Sequence, residues 1–196
     1  MNKYIAELVG TCILALAVSF SLAQSFPVST PVIAALTLGL LVYTIGPISG
    51  CHINPAVTLG LWSIKKIDRK DAINYLIAQF VGALLAYFIS RLLISNPASV
   101  SIVNTGLVGA MELIGALVFT FGVAAVATGR VPQDASGLVV GGSLLLGISI
   151  ASFASNGILN PAVALGIGSF SLMYLIGPLI GGILGMRLYA YLASRL

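Results

Sequence analysis

Ser49-Gly50-Cys51-His52-Ile53-Asn54-Pro55-Ala56-Val57 and Ser155-Asn156-Gly157-Ile158-Leu159-Asn160-Pro161-Ala162-Val163 are two versions of one phrase. Each is a loop of small residues that runs into Asn-Pro-Ala and then into a short apolar segment. Proline fits the first turn of a helix, where its missing N–H costs nothing. Asparagine just before it is a favoured N-cap. The motifs therefore predict two short helices, over 54–63 and 160–169. Ten residues make roughly 15 Å of helix, half of a ~30 Å bilayer core. Two such half-helices meeting tip to tip would cross a membrane once, with both N-termini at its middle.

Composition says which solvent the chain expects. Of 196 residues, 59% are hydrophobic and 7% are charged, against about 25% charged in a soluble domain. This is the composition of an integral membrane protein. The net charge of +4 is not a nucleic-acid footprint, because the few basic residues sit between apolar segments. Cys12 and Cys51 have no metal-ligand spacing, and no cofactor is implied. One histidine and five acids supply no nucleophile–base or metal set, which argues against an enzyme. Lys3, an apolar run and Ser21-Leu22-Ala23 imitate a secretory signal, but Glu7 interrupts that run and the segment has a counterpart later in the chain.

That counterpart defines a repeat. Ala6-Glu7-Leu8-Val9-Gly10 aligns with Met111-Glu112-Leu113-Ile114-Gly115 (112 − 7 = 105), and the Asn-Pro-Ala triplets align at 160 − 54 = 106. Ala78, Gly82 and Ala86 align with Gly177, Gly181 and Gly185 (177 − 78 = 99). The halves are 1–97 and 104–196, joined by the polar stretch Ser95 to Thr105. Each holds three long apolar runs, 4–24, 31–48 and 71–94, then 107–128, 136–153 and 171–194, each long enough to span a bilayer as a helix. Three crossings is an odd number, so the second half must be inserted upside down, with the working site expected at the midplane. Lys3, Lys65, Lys66, Arg69, Lys70, Arg130 and Arg195 fall on one side of a six-helix arrangement, Arg187 lies near it, and Arg91 falls opposite. The basic side is expected to be cytoplasmic, with both termini inside. The small residues at four-residue spacing predict close helix packing within the subunit.

Glu7 and Glu112 occupy equivalent places in the first helix of each half. A carboxylate in a spanning helix is expensive and marks function by default. Each is expected to accept hydrogen bonds from N–H groups of a re-entrant loop that water cannot reach; a proton-relay role is the competing reading. Asn54 and Asn160 would cap their helices and aim amide donors at the meeting point. One Asn-Pro-Ala is an ordinary cap, but two at matching points of an inverted repeat, each after a glycine-containing loop, are a device.

These residues resemble the aquaporin, or major intrinsic protein, family across essentially the whole chain. Ser49 to Thr58 resembles that family's first signature loop, and the paired Glu7 and Glu112 fit it as well. The resemblance implies an all-α membrane fold of six spanning helices plus two half-helices, one pore per subunit, a homotetramer, and passive conduction of water or small uncharged solutes. Half-helix N-termini carry about +0.5 charge each. At ~5 Å and an effective dielectric of ~20, each opposes a monovalent cation by about 1.7 kcal/mol. Amide donors from Asn54 and Asn160 would turn a passing water's oxygen toward them and interrupt a proton-conducting file.

One feature departs from the family. Most members carry arginine after the second triplet, lining the outer filter, and here that place is Val163. Gapless counting puts the other filter positions at Ala34 and Ile148, with a backbone carbonyl from Gly157. An apolar ring without a guanidinium has lost a cation barrier and fixed donors, and it is poorly wetted. Such a ring suits ammonia, urea, glycerol or a dissolved gas as well as water. Ala164, where the glycerol-conducting branch usually has aspartate, does not support the glycerol pattern. His52 is expected to line the vestibule on the basic side or to hold the loop by a hydrogen bond, with proton gating as a weaker third role. Cys51 is expected beside the pore mouth. A non-conducting tetramer that organises the membrane is the alternative of a different class.

Overall fold

The computed structural model describes residues 1–23, 27–95, 100 and 103–194. Arg195 and most of the joining stretch Ser95 to Thr105 lie outside the described residues. Among those described, all regular structure is helical: α1 (Asn2–Ala23), α2 (Thr30–Thr44), α3 (Gly46–Ser49), α4 (Pro55–Ser63), α5 (Arg69–Leu93), α6 (Gly106–Ala127), α7 (Ser136–Ala151), α8 (Pro161–Gly166) and α9 (Leu172–Ala193). Four of these, and α7 with the 3₁₀ turn Gln133–Ala135 that leads into it, are long and apolar enough to cross a membrane.

The second expected span, 31–48, is not one helix. Pro47 has no N–H for the Tyr43 carbonyl four residues back, and its ring crowds that carbonyl, so α2 stops at Thr44 and the chain resumes as the single turn α3. Gly50, at φ +86°, closes that turn in the left-handed conformation that ends many helices. The half-helix expected over 160–169 is also shorter, ending at Gly166. Gly168 takes φ +73°, and the Ser169 N–H donates back to the Ala164 carbonyl at 2.9 Å. Glycines at 166 and 168 weaken the helix just where this left-handed stop forms. The first half-helix, α4, runs from Pro55 to Ser63 with Asn54 as its N-cap.

Helix packing has a regular plan. α1 packs on α5 and α6 on α9; α4 lies against α9 and α6, and α8 against α5 and α1; α2 and α7 pack on each other. Exchanging α1, α2, α4 and α5 for α6, α7, α8 and α9 leaves these contacts unchanged. Glycine permits the closest approaches. A Cβ on Gly82 would lie 2.2 Å from the Leu8 carbonyl oxygen, and one on Gly181 would lie 2.1 Å from that of Leu113. The small-residue rows of α5 and α9 therefore pack within the subunit, against α1 and α6.

One face of the bundle gathers most of the charge. Lys3 pairs with Asp71 across the starts of α1 and α5, and the Tyr43 hydroxyl, at the end of α2, donates to the Asp134 carbonyl at 2.7 Å. Arg130, after α6, reaches the Ala193 carbonyl at the end of α9. Lys65 and Lys66 lie between α4 and α5, and Arg69 and Lys70 open α5. We call this the basic face; Arg91, at the end of α5, stacks on Tyr87 toward the opposite one.

Candidate functional site

The site begins with two carboxylates. Glu7 and Glu112 are both fully buried, and each is consumed by a loop. Glu7 accepts from the backbone N–H groups of His52 at 2.9 Å and Ile53 at 2.6 Å, and from the Ser49 hydroxyl at 2.7 Å. Glu112 accepts from the N–H groups of Ile158 at 3.0 Å and Leu159 at 2.7 Å, and from the Ser155 hydroxyl. An unpaired N–H at bilayer depth costs several kcal/mol. A carboxylate that takes two of them together stabilises an irregular backbone that lipid could not.

That backbone is strained at matching points. Cys51 (φ +52°) and Gly157 (φ +62°) are left-handed, and so are Ile53 (φ +39°) and Leu159 (φ +53°). A β-branched residue at positive φ is rare, and each such residue costs about 1–3 kcal/mol. Ile53 and Leu159 are held from two sides. Their N–H groups bond the carboxylate of their own half. Their carbonyls accept from the other half: Asn160 Nδ2 donates to the Ile53 oxygen and Asn54 Nδ2 to the Leu159 oxygen, both at 3.0 Å. The same asparagines cap α4 and α8, since Asn54 Oδ1 accepts from Ala56 N at 2.8 Å and Asn160 Oδ1 from Ala162 N at 3.0 Å. An amide carries two N–H donors. The crosswise bonds use one on each asparagine, so the other is the donor that can face the meeting point.

One cavity takes in this crossing, and a second lies next to it. The far cavity, about 240 Å³, opens away from the basic face and includes Asn54, Asn160, Ala34, Ile148, Gly157 and Val163 in its wall. The structure thus brings all four expected filter positions together on one lining, and a Cβ on Gly157 would lie 2.9 Å from the Ile148 carbonyl oxygen. The near cavity, about 480 Å³, lies toward the basic face and includes Cys51, His52, Tyr43 and Lys66. His52 borders both. It also makes the expected loop contact, with Nδ1 3.2 Å from the Thr58 hydroxyl and its ring edge-on to Tyr75, centroids 4.9 Å apart. Pro55, Ala56, Pro161 and Ala162 are buried in the first turns of α4 and α8.

Several site residues escaped the motif reading. Gln79 Nε2 donates to Glu7 and to the Thr58 hydroxyl, each at 2.8 Å. The Tyr75 hydroxyl donates to the Ser49 carbonyl at 2.7 Å, and Asn156 donates to the Tyr174 hydroxyl. Tyr75 and Tyr174 stand 99 residues apart, the offset that aligns the small-residue rows, so the same alignment held the signal. Leu38 and Phe119 line both cavities, and as apolar residues in apolar helices they carried no mark.

Helices that cross a membrane, two that stop halfway, and two asparagines joined crosswise between a pair of cavities define the class as an aquaporin-like channel fold. Comparison with known proteins agrees. The sequence model of the major intrinsic protein family matches residues 1–189, and the chain belongs to that family. It is similar to Aquaporin AqpM of Methanothermobacter thermautotrophicus, 31% identical over 79% of this chain and 72% of the relative. It is also similar to Aquaporin Z of Rhodopseudomonas palustris, 30% identical over 99% of this chain and 94% of the relative. In fold it resembles the aquaglyceroporin from Plasmodium falciparum, with a TM-score of 0.66 at 24% identity, covering 100% of this chain and 96% of that one. The protein is an integral membrane protein and a passive channel for water or small neutral solutes. Its family consists of channels rather than enzymes.

Proposed function

We propose that the conduction route runs through the two cavities, past the Asn54–Asn160 pair, between halves 1–97 and 104–196 that are inverted repeats of each other. The observation that carries this reading is the crosswise bond pair, Asn54 to Leu159 and Asn160 to Ile53, each at 3.0 Å. It joins the two loops beside both cavities and leaves one amide donor on each side. Those donors, with the N-termini of α4 and α8, exclude protons and cations. The shortness of α8 makes its share of the dipole smaller than that of α4.

Ala34, Ile148, Gly157 and Val163 form the outer ring, which acts by poor wetting rather than by charge. Ammonia, urea, glycerol or a dissolved gas are therefore candidate permeants beside water. Glu7 and Glu112 support the loops, because their acceptor capacity is taken up by loop donors, and neither relays protons. The chain works as a homotetramer in the plasma membrane with the basic face and both termini in the cytoplasm, a placement that rests on the family and on the basic residues.

Purified protein in liposomes tests the reading. Osmotic shrinkage with water, urea, glycerol and ammonia should exceed that of empty liposomes for at least one solute, with no proton leak. Val163→Arg should lower the flux of the larger solutes. Absence of flux for every solute would favour a tetramer that organises the membrane without conducting.

A further inference from the structure

The apolar ring draws attention as the place where the family carries its filter, yet here it is a wall of the far cavity. Ala34, Ile148, Gly157 and Val163 enclose the same space as Asn54 and Asn160. A solute in the far cavity meets the ring and the asparagines in one space. Among the described residues, three are common to both cavities: Leu38, His52 and Phe119. These three side chains therefore stand at the boundary that the two cavities share.

All three are buried, as the ring residues are, and Phe119 and His52 are also braced. Phe119 is 1% exposed, Leu38 3% and His52 7%. Phe119 is seated by the close crossing of α6 and α7. There a Cβ on Gly147 would lie 2.5 Å from the Gly115 carbonyl oxygen and 3.2 Å from the Phe119 Cβ. His52 is fixed through its backbone by Glu7, through Nδ1 by Thr58 and through the edge-type contact of its ring with Tyr75. The opposite half provides an internal control. The residues matching Phe119, Leu38 and His52 by the repeat offsets are Leu14 (119 − 105), Leu144 (38 + 106) and Ile158 (52 + 106). These three border the far cavity alone. The bulky ring and the imidazole border both cavities, and the aliphatic residues at the matching points border one.

We propose that Phe119, with Leu38 and His52, sets the size limit of this channel, on the basic-face side of the asparagine pair and not at the Ala34–Ile148–Val163 ring. This rests on the reading that conduction runs through both cavities. Two hydrocarbon walls and one imidazole pass water or ammonia in single file more readily than urea or glycerol. The channel then discriminates by size more than the small residues of that ring suggest.

The test uses proteoliposomes of the full chain. The ratios of urea and glycerol flux to water flux are compared for the parent, Phe119→Leu, Leu38→Ala and Ile148→Ala. Phe119→Leu places in α6 the residue that α1 carries at the matching point, so the fold should tolerate it, and Leu38→Ala probes the same narrowing from another helix. Phe119→Leu and Leu38→Ala should each raise the ratios, Phe119→Leu on the order of tenfold, because leucine has three carbons fewer than phenylalanine and one methylene in a fitted pocket already discriminates by about that factor. Ile148→Ala should raise them less. An Ile148→Ala increase that equals or exceeds both others would overturn the proposal and leave the conduction route standing. No flux above empty liposomes from the parent and all three variants would overturn the route, and the proposal with it.

Discussion

The two re-entrant loops are built on one plan and finished in different chemistry. In both, a buried glutamate takes two consecutive backbone N–H groups and a serine hydroxyl, and an asparagine caps the short helix and bonds the opposite loop. Around that shared frame the side chains diverge. The first loop has His52, Thr58 and Gln79 in one connected chain of hydrogen bonds ending on Glu7. At the matching positions the second has Ile158, Ala164 and Pro178. The frame solves a backbone problem common to both halves, namely irregular chain at bilayer depth. Of the divergent set only His52 and Ile158 border a cavity, a polar side chain shared by both cavities and an apolar one in the far cavity. Thr58 and Gln79 are fully buried behind His52 and hold the first loop. A repeat can hold its geometry while its two halves take on separate tasks.

The largest effect that would sharpen this comparison comes from the carboxylates. Glu7→Gln and Glu112→Gln each turn one acceptor oxygen into a donor facing donors, and a buried donor left unsatisfied costs about 1–3 kcal/mol. Both should lower the thermal midpoint in detergent, and Glu7→Gln should lower it more, because Gln79 also bonds Glu7 while α9 carries Pro178 at the matching point. An equal or larger drop for Glu112→Gln would break the asymmetry claimed here. Next come the asparagines. Asn54→Ala and Asn160→Ala each remove a cap, worth about 1 kcal/mol, and orphan a carbonyl of the opposite loop. Their destabilisation should be similar, since the bonds are reciprocal. Both should also raise proton leak in liposomes, and a clear difference in stability between them would contradict the crosswise frame.

Much of this frame was legible in the residues. Two Asn-Pro-Ala triplets and two glutamates at nearly the same offset carry it, because caps and buried charges have few alternative uses in an apolar chain. The serines at 49 and 155 lay inside the quoted phrases, and Tyr75 and Tyr174 stood on an offset already in hand. Other features were hidden for physical reasons. The break at Ile45 depended on weighing Pro47 against a continuous apolar run. The early end of α8 depended on the left-handed Gly168, which hydropathy does not register. Phe119 and Leu38 look like any other core residues, since only the three-dimensional meeting of α2, α6 and the first loop places them between two cavities.

A smaller effect tests the polar chain itself. Thr58→Val removes the partner shared by Gln79 and His52 and should cost about 1–2 kcal/mol, the range for a buried hydrogen bond and its orphaned partner. Ala164→Ser on the other side breaks no existing bond and should cost less. The reverse order would mean that the chain of hydrogen bonds is incidental. The smallest effect on stability is chemical. Cys51 lines the near cavity and Cys12 lines neither, so a mercurial should slow conduction through Cys51. Cys51→Ser should abolish that inhibition and Cys12→Ser should keep it; unchanged inhibition in Cys51→Ser would contradict the placement.

The central claim is that the passage runs between the two joined loops. An electron cryo-microscopy map of the protein in lipid nanodiscs, at a resolution that shows ordered water, tests it most directly. The account predicts a single file of water density from the far cavity to the near one, passing the amides of Asn54 and Asn160 and squeezed beside Phe119. Water density that avoids the asparagine pair, or loops drawn apart so that Asn54 no longer reaches the Leu159 carbonyl, would contradict it.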